Sequence, residues 1–180
     1  SMVLHSLRFL LGDSIFFRGM RNYINDPALA YKFASTPDFQ RHMEAVYGKS
    51  LNFYFRQYVY GPGFPSYRIN WFQKFDQTVS VTITQTTSDT TLRFFEMQVP
   101  LYFKNAVSDT TILLYNNLPE QTFTFKLPFV ADTLLFDPEL WLISKSNNVT
   151  RTASANLDMM VYPNPCTSLL QARIESVDFR

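Results

Sequence analysis

The chain has 180 residues, of which 46% are hydrophobic and 17% charged, and its formal net charge is +1. This composition is typical of folded globular proteins, and the near-neutral charge gives no indication of a nucleic-acid or acidic-membrane partner. No apolar run approaches the roughly 20 residues that span a bilayer, and the single cysteine, Cys166, excludes an internal disulfide framework and a Cys-rich zinc site.

Helical periodicity fills the first third of the chain. Apolar residues recur at spacings of three and four, and the polar residues Asp13, Thr36 and Ser50 stand where helix caps are expected. The predicted helices cover residues 3–11, 13–24, 36–47 and 51–59. Residues 2–65 are therefore expected to form helical hairpins with about four helices. The last helix is apolar nearly all round, which indicates burial on more than one side.

A break in the pattern follows, where glycine and proline alternate. Prolines fix φ and lack a backbone donor, and glycines adopt conformations that other residues resist, so no regular element can continue through the segment. We predict a stiff structural hinge here. It comprises Gly61, Pro62, Gly63, Phe64 and Pro65.

Beyond the hinge the period changes from about 3.6 to two, which indicates strands with one wet face. The predicted strands are Tyr67–Trp71, Val79–Ile83, Leu92–Met97, Pro100–Lys104, Thr111–Tyr115, Gln121–Leu127 and Leu140–Ser144. Short strands separated by turn residues favour two packed antiparallel sheets. The fold class is thus α+β in sequence-separated segments, with N-terminal helical hairpins followed by an all-β antiparallel sandwich of about seven strands over residues 66–146.

The C-terminal part has a different composition. Residues 147–160 are mostly small and polar, as in a flexible linker, and residues 161–180 begin another strand pair. The helix at the start of the chain lacks a convincing cap and the strand pair at its end is short. We therefore expect the chain to be part of a longer protein.

Candidate catalytic groups are few. His5 and His42 have no acid at a metal-ligand spacing, and Cys166 has no nearby base. Asp137 and Glu139 flank a proline in a turn, where paired-carboxylate chemistry has no identified cleft. Ordinary helix-surface or core positions account for the two histidines more simply, and helix capping accounts for Asp13, Asp38 and Ser50. We therefore assign no catalytic, cofactor-binding or metal-binding residue in this chain.

Several short stretches in a fixed order carry a resemblance to a known family. They are Val3-Leu4-His5-Ser6-Leu7-Arg8, Leu11-Gly12-Asp13, Phe16-Phe17, Thr36-Pro37-Asp38-Phe39, Tyr60-Gly61-Pro62-Gly63-Phe64-Pro65, Met97-Gln98-Val99-Pro100-Leu101 and Asp137-Pro138-Glu139-Leu140-Trp141-Leu142. Together, over about residues 3–145, they resemble the region downstream of the metal site in the M1 (gluzincin) family of zinc aminopeptidases. The resemblance implies that residues 2–65 are the helical C-terminal end of a peptidase catalytic domain and that residues 66–146 are its supporting β-sandwich.

The resemblance does not extend to the catalytic and zinc-binding motifs of the family. The family's H-E-x-x-H helix, its third zinc ligand and its catalytic tyrosine have no counterpart in this sequence. In a parent enzyme, zinc-activated water would remove N-terminal residues from peptides. The chain itself is expected to be non-catalytic and to hold no zinc, and its expected partner is the missing N-terminal catalytic half of the same protein.

A second resemblance lies near the C-terminus. Val161-Tyr162-Pro163-Asn164-Pro165 follows the polar linker and resembles the opening of the C-terminal sorting domain of Bacteroidetes type IX secretion. It implies that residues 161–180 are a truncated sorting domain and that the protein is secreted or displayed at the cell surface. A generic Pro-Asn-Pro turn is the alternative.

Two other classes of function stay open at this stage. A non-catalytic module of a secreted protein could bind peptide or glycan through an aromatic surface made of Tyr60, Phe64, Tyr67 and Trp71, or the sandwich could simply scaffold its neighbours. Apolar helix faces left exposed could also join copies of the chain into a homo-oligomer.

Overall fold

The computed structural model describes residues 2–152, together with the backbone of residues 158–162 and 171–175. Its helices are α1 (Met2–Leu11), α2 (Asp13–Ile24), α3 (Thr36–Tyr47) and α4 (Asn52–Phe55), and α4 continues into a π-helical turn, Arg56–Tyr60. All four predicted helices are present. In the part of the chain that the structure describes, no helix is both long and apolar enough to cross a membrane.

Within the described residues, the strands follow the helices without interruption by further helical elements. They are β1 (Pro65–Gln73), β2 (Thr78–Thr87), β3 (Met97–Lys104), β4 (Asp109–Asn116), β5 (Glu120–Lys126), β6 (Thr133–Phe136), β7 (Asn148–Arg151), β8 (Asp158–Tyr162) and β9 (Gln171–Glu175). The first seven form a four-stranded sheet ordered β5-β2-β1-β7 and a three-stranded sheet ordered β4-β3-β6, and β8 and β9 pair with each other. The predicted fold class, with helices and sheets in separate segments, is confirmed.

The two sheets pack face to face through the residues that alternate along their strands. In β1, Tyr67, Ile69 and Trp71 are almost completely buried, while Arg68 between them is exposed. Trp71 meets Phe103 of the opposite sheet edge to face, with ring centroids 5.7 Å apart. The period of two thus places one face of each strand in a common apolar core, whose burial is the main favourable term in folding.

Two of the predicted strands are wrong. Residues 92–96 and 140–144 are irregular, because side chains form hydrogen bonds with backbone groups that would otherwise bond to a neighbouring strand. The strands β6 and β7 complete the count of seven instead. β7 lies in the segment expected to begin a linker, and it pairs with β1 in parallel, so the sandwich is mostly rather than wholly antiparallel.

Pro100 lies within β3, where a missing N–H would normally break a ladder. Residues of even number in β3 direct their backbone groups toward β6, as the bonds from the Asp132 N–H to the Lys104 carbonyl and from the Asp137 N–H to the Pro100 carbonyl show. The β3–β6 pairing begins only at Leu101, so the missing N–H of Pro100 falls at the end of the ladder. Proline is therefore tolerated within β3.

Helix caps differ in detail from expectation. Ser35, not Thr36, caps α3: its N–H and its hydroxyl both donate to Asp38 Oδ2, at 3.0 and 2.6 Å. Gly12, not Asp13, occupies the cap of α2, and the Asp13 carboxylate instead accepts two hydrogen bonds from the Arg8 guanidinium, at 2.7 and 2.8 Å. These changes move each cap by one residue and leave the helix positions unaltered.

Candidate functional site

The predicted hinge is a fixed passage between the helices and β1. Gly63 has φ +83°, and a Cβ at this position would lie 2.9 Å from both Ser88 Oγ and Asp89 Cβ. The next residue is held in place as well, because the Phe64 N–H donates to Ser88 Oγ at 2.9 Å and the Ser88 N–H donates to the Phe64 carbonyl at 3.0 Å. The loop after β2 therefore secures the hinge from one side.

Gly61 lies at the other end of the predicted hinge, directly after the π-helical turn. A Cβ there would come within 2.7 Å of the Arg56 carbonyl oxygen and 3.1 Å of the Gln57 carbonyl oxygen. Both carbonyls belong to the π-helical turn, so only glycine lets the chain leave that turn so closely. The glycines singled out from the sequence are thus explained by steric contacts at both ends of the segment.

Gln57, which sequence analysis did not single out, connects the helices to the sandwich. Its side chain is only 5% exposed; its Nε2 donates to the Phe94 carbonyl at 3.3 Å and its Oε1 accepts the Glu96 N–H at 3.0 Å. Gln85 of β2 does the same from the opposite side, where its amide accepts the Phe95 N–H at 2.7 Å and donates to the Phe95 carbonyl at 2.9 Å. Two buried amides thereby satisfy the backbone that would otherwise have formed a strand.

Buried tyrosines fill the space beside these amides. Tyr58 lies between Tyr54 and Phe95, with tilted rings whose centroids are 4.8 and 5.2 Å away. The Tyr54 hydroxyl donates to the Val3 carbonyl at 2.6 Å. Burial raises the pKa of Tyr54, Tyr58 and Tyr67 well above the ordinary value for a tyrosine. These hydroxyls therefore stay protonated near neutral pH and do not act as bases.

A second contact joins α1 to the turn after β6. The His5 ring stacks on Trp141 at 4.4 Å with an interplanar angle of 11°, and Phe9 lies 5.5 Å from the same indole. The Arg8 guanidinium lies 5.9 Å from the indole, within cation–π distance. His5 is thus placed as a packing residue, in agreement with the simpler interpretation of its sequence context.

The turn itself is organised by Asp137. This residue is only 3% exposed and has φ +43°, and its two carboxylate oxygens accept the N–H groups of Trp141 and Leu142, each at 2.8 Å. Burial raises the pKa of the carboxyl group, and the two backbone donors act in the opposite direction. Glu139 accepts a hydrogen bond from the Trp141 indole and faces solvent. The two acids hold the turn and do not converge on a cleft.

The remaining candidates do not assemble into a catalytic or metal site. His42 Nε2 lies 2.9 Å from Asp26 Oδ2, and its ring packs edge to face against Tyr23 of α2. Across the described residues, no three His, Cys, Asp or Glu side chains are grouped so that they could hold a metal ion. Cys166 and the Pro163-Asn164-Pro165 motif lie outside the described residues.

The aromatic binding surface considered above is not formed. Tyr67 and Trp71 are 1% and 2% exposed and belong to the core, whereas Tyr60 is 61% exposed and Phe64 is half-buried. What the helices do present is a groove of about 500 Å³ with both polar and apolar lining, bordered by α1, α2, α3, α4 and the π-helical turn. Leu4 and Val59, both partly exposed, lie on its wall.

These features define a helical segment joined rigidly to a two-sheet β-sandwich. Polar groups at the joint form hydrogen bonds between the two. No protein-family profile matches the sequence, and no curated protein matches it either. In structure, the chain is similar to aminopeptidase A of Legionella pneumophila, solved in complex with aspartic acid, with a TM-score of 0.64 and 12% sequence identity. The similarity covers 85% of this chain but only 17% of that one. It shows a shared fold for this portion of an aminopeptidase.

Proposed function

We propose that this chain is the C-terminal portion of an exported M1-like zinc aminopeptidase and that it supplies structural support, not chemistry. The observation that carries the proposal is the similarity of 85% of the chain to a 17% portion of an aminopeptidase. The stretches between Val3 and Leu142 that resemble the M1 family in their order and spacing support the same assignment from the sequence alone.

The residues present do not fit a zinc site. In the described part of the chain the two histidines are engaged elsewhere, His5 on Trp141 and His42 on Asp26, and no cluster of ligands surrounds either. In a parent enzyme zinc would supply an activated water. This chain's contribution would be to hold the last catalytic-domain helices against the sandwich.

The test compares the 180-residue chain with the longer natural gene product. We expect the purified chain to hold much less than one equivalent of zinc and to leave aminoacyl chromogenic substrates intact, whereas the longer protein binds zinc and cleaves them. Hydrolysis or stoichiometric zinc in the isolated chain would contradict a supporting role. A longer protein that neither binds zinc nor cleaves these substrates would contradict the assignment to an aminopeptidase.

The groove among the helices is the surface proposed to receive the catalytic part. Leu4, on its wall, is 39% exposed, so Leu4→Asp should leave the isolated chain folded but lower the activity or stability of the longer protein. Leu118→Asp is the matched control, because Leu118 is 52% exposed and lies in the turn between β4 and β5. Equal effects of the two changes would argue against the groove as this contact.

Scaffolding by the sandwich is the second candidate, and the extent of its contact with the helices favours it. Gln57, Tyr58 and His5 all reach across to sandwich residues. Deletion of residues 66–146 from the longer protein should therefore lower the melting temperature of the catalytic part. An unchanged melting temperature would count against scaffolding.

Export by type IX secretion is proposed from the sequence near Val161. A reporter fused to the part of the longer protein that starts at residue 147 and carries the complete sorting domain should leave the cell in a bacterium that has this secretion system. A fusion to residues 147–160 alone should stay inside. Export of both fusions, or of neither, would argue against a sorting signal that begins at residue 161.

A further inference from the structure

β5 is an outer strand of the four-stranded sheet. On one side it pairs with β2 from Thr78↔Lys126 to Thr84↔Glu120. On its other side, no strand of the described residues pairs with it. Such an edge presents a row of backbone N–H and C=O groups that can accept a further strand.

The backbone groups that face outward can be identified from the bonds at the two ends of β5. The Pro119 carbonyl accepts the Gln85 N–H at 2.7 Å, and the Leu127 N–H donates to the Gln77 carbonyl at 3.1 Å. In an antiparallel strand, a residue directs both backbone groups to one side and the side alternates along the strand. Residues of odd number therefore face β2, and Glu120, Thr122, Thr124 and Lys126 face outward.

The side chains on this edge leave it accessible. The four outward-directed residues are exposed, while Phe123 and Phe125 are half-buried against the core. Proline and inward-pointing charged side chains commonly protect an edge strand from pairing. β5 has neither a proline nor a charged side chain on its inner face. Its charges stand at its ends and have opposite signs, Glu120 at the start and Lys126 at the finish.

We propose that β5 pairs antiparallel with β5 of a second copy of the chain, about a two-fold axis through Phe123. In this register Glu120 lies opposite Lys126 of the second copy, and Thr122 lies opposite Thr124 of the second copy. All four positions carry outward backbone groups, so each opposed pair can exchange two hydrogen bonds. The two-fold symmetry forms the Glu–Lys pair twice, and the two sheets become one.

The charge pattern selects this arrangement over its alternatives. Parallel pairing in register would place Glu120 against Glu120 and Lys126 against Lys126, and a shift by two residues would lose both opposite-charge pairs. β4, the corresponding edge of the other sheet, has Asp109 at one end and the neutral Asn116 at the other. Self-pairing of β4 would therefore gain no such ion pairs. A single seven-residue strand contact is small, so the association is weak and depends on concentration.

Sedimentation velocity over a concentration series tests the proposal through charge reversal. Glu120→Lys and Lys126→Glu each replace two attractive pairs by two repulsive ones, and each should raise the dimer dissociation constant by about tenfold. The double variant E120K/K126E restores both pairs and should return to within about threefold of the original value. Because both residues are exposed, circular dichroism should show unchanged folds. A monomer at every concentration, or a dimer insensitive to the single reversals, overturns the proposal.

Two further variants locate the contact. Thr124→Pro removes an outward N–H and should abolish association, whereas Thr111→Pro removes an outward N–H from β4 and should leave it intact. In a Cys166→Ser background, Phe123→Cys should form an intermolecular disulfide on mild oxidation, because residues opposed on the axis come within disulfide distance. Equal effects of the two prolines, or no cross-link in a sample that sediments as a dimer, would also overturn it. The inference does not depend on the proposed function.

Discussion

The Gln57 side chain offers the sharpest test of how the helices are joined to the sandwich. Gln57→Leu keeps most of the side-chain volume but removes the bonds to the Phe94 carbonyl and the Glu96 N–H. Each bond contributes roughly 1 kcal/mol net, and a buried group left without a partner costs about 1–3 kcal/mol. The side chain is 5% exposed, so water cannot easily replace it. We expect a loss of about 2–4 kcal/mol in the free energy of unfolding.

Urea unfolding measures this loss. Trp141 reports on the contact with α1 and Trp71 on the sandwich core, so tryptophan fluorescence follows both regions, while circular dichroism follows the helices. The midpoint should fall with an unchanged slope, and the two probes should coincide if helices and sandwich unfold together. Gln98→Leu on β3 is the control, because Gln98 is half-buried and makes no side-chain hydrogen bond to the described residues. Equal losses in the two variants would refute the role given to Gln57.

Two further predictions concern the same joint, and a third concerns the connection between α2 and α3. Gly63→Val should lower the free energy of unfolding, measured in urea, by about 1–3 kcal/mol more than Gly48→Val. Both glycines have positive φ, +83° at Gly63 and +76° at Gly48, but only at Gly63 would a Cβ meet neighbouring atoms. A double-mutant cycle with His5→Ala and Trp141→Ala should give a coupling of about 0.5–1.5 kcal/mol, as expected of stacked aromatic rings, and a cycle without coupling would rule out that contact. A backbone N–H two residues further on lowers the pKa of Asp26, and a neighbouring histidine adds to this. The stability that Asp26 contributes is thus present above its unfolded pKa of about 3.9 and lost as the pH falls through the folded value, so Asp26→Asn should flatten the acid limb of a melting-temperature profile.

The sequence predicts the helices and the central strands because their signals are local. The alternation of Tyr67, Ile69 and Trp71 is enough to identify β1, and Gly12 and Gly48 mark the ends of two helices. The two false strands had equally good local signals. Phe94 and Phe95 look like strand residues, yet Gln57, some 37 residues earlier, takes the backbone of this segment. Only the fold brings Gln57 to this segment, so no local pattern could reveal it, whereas the partner of Trp141 and Leu142 is the nearby Asp137.

The joint is also where sequence reasoning missed a residue. Glutamine is usually exposed, and neither a motif nor a period distinguishes Gln57 from Gln98. The one available signal is that Gln57 lies within a helix that is otherwise apolar nearly all round, so a polar side chain there has to be buried and needs a partner. That signal predicts a hydrogen bond but does not say with what.

The sequence predicts a hinge at the Gly61–Pro65 segment, and the contacts around the segment hold it in a fixed position. A hinge allows motion when few contacts cross it. Here Ser88 binds Phe64 on one side, Gln57 binds the segment before β3, and the stack on Trp141 adds a third attachment at a distance. Three separate attachments between two bodies resist rotation about any single axis. The segment therefore fixes an angle between helices and sandwich, which is the property that a support for catalytic helices needs and that a flexible linker would lack.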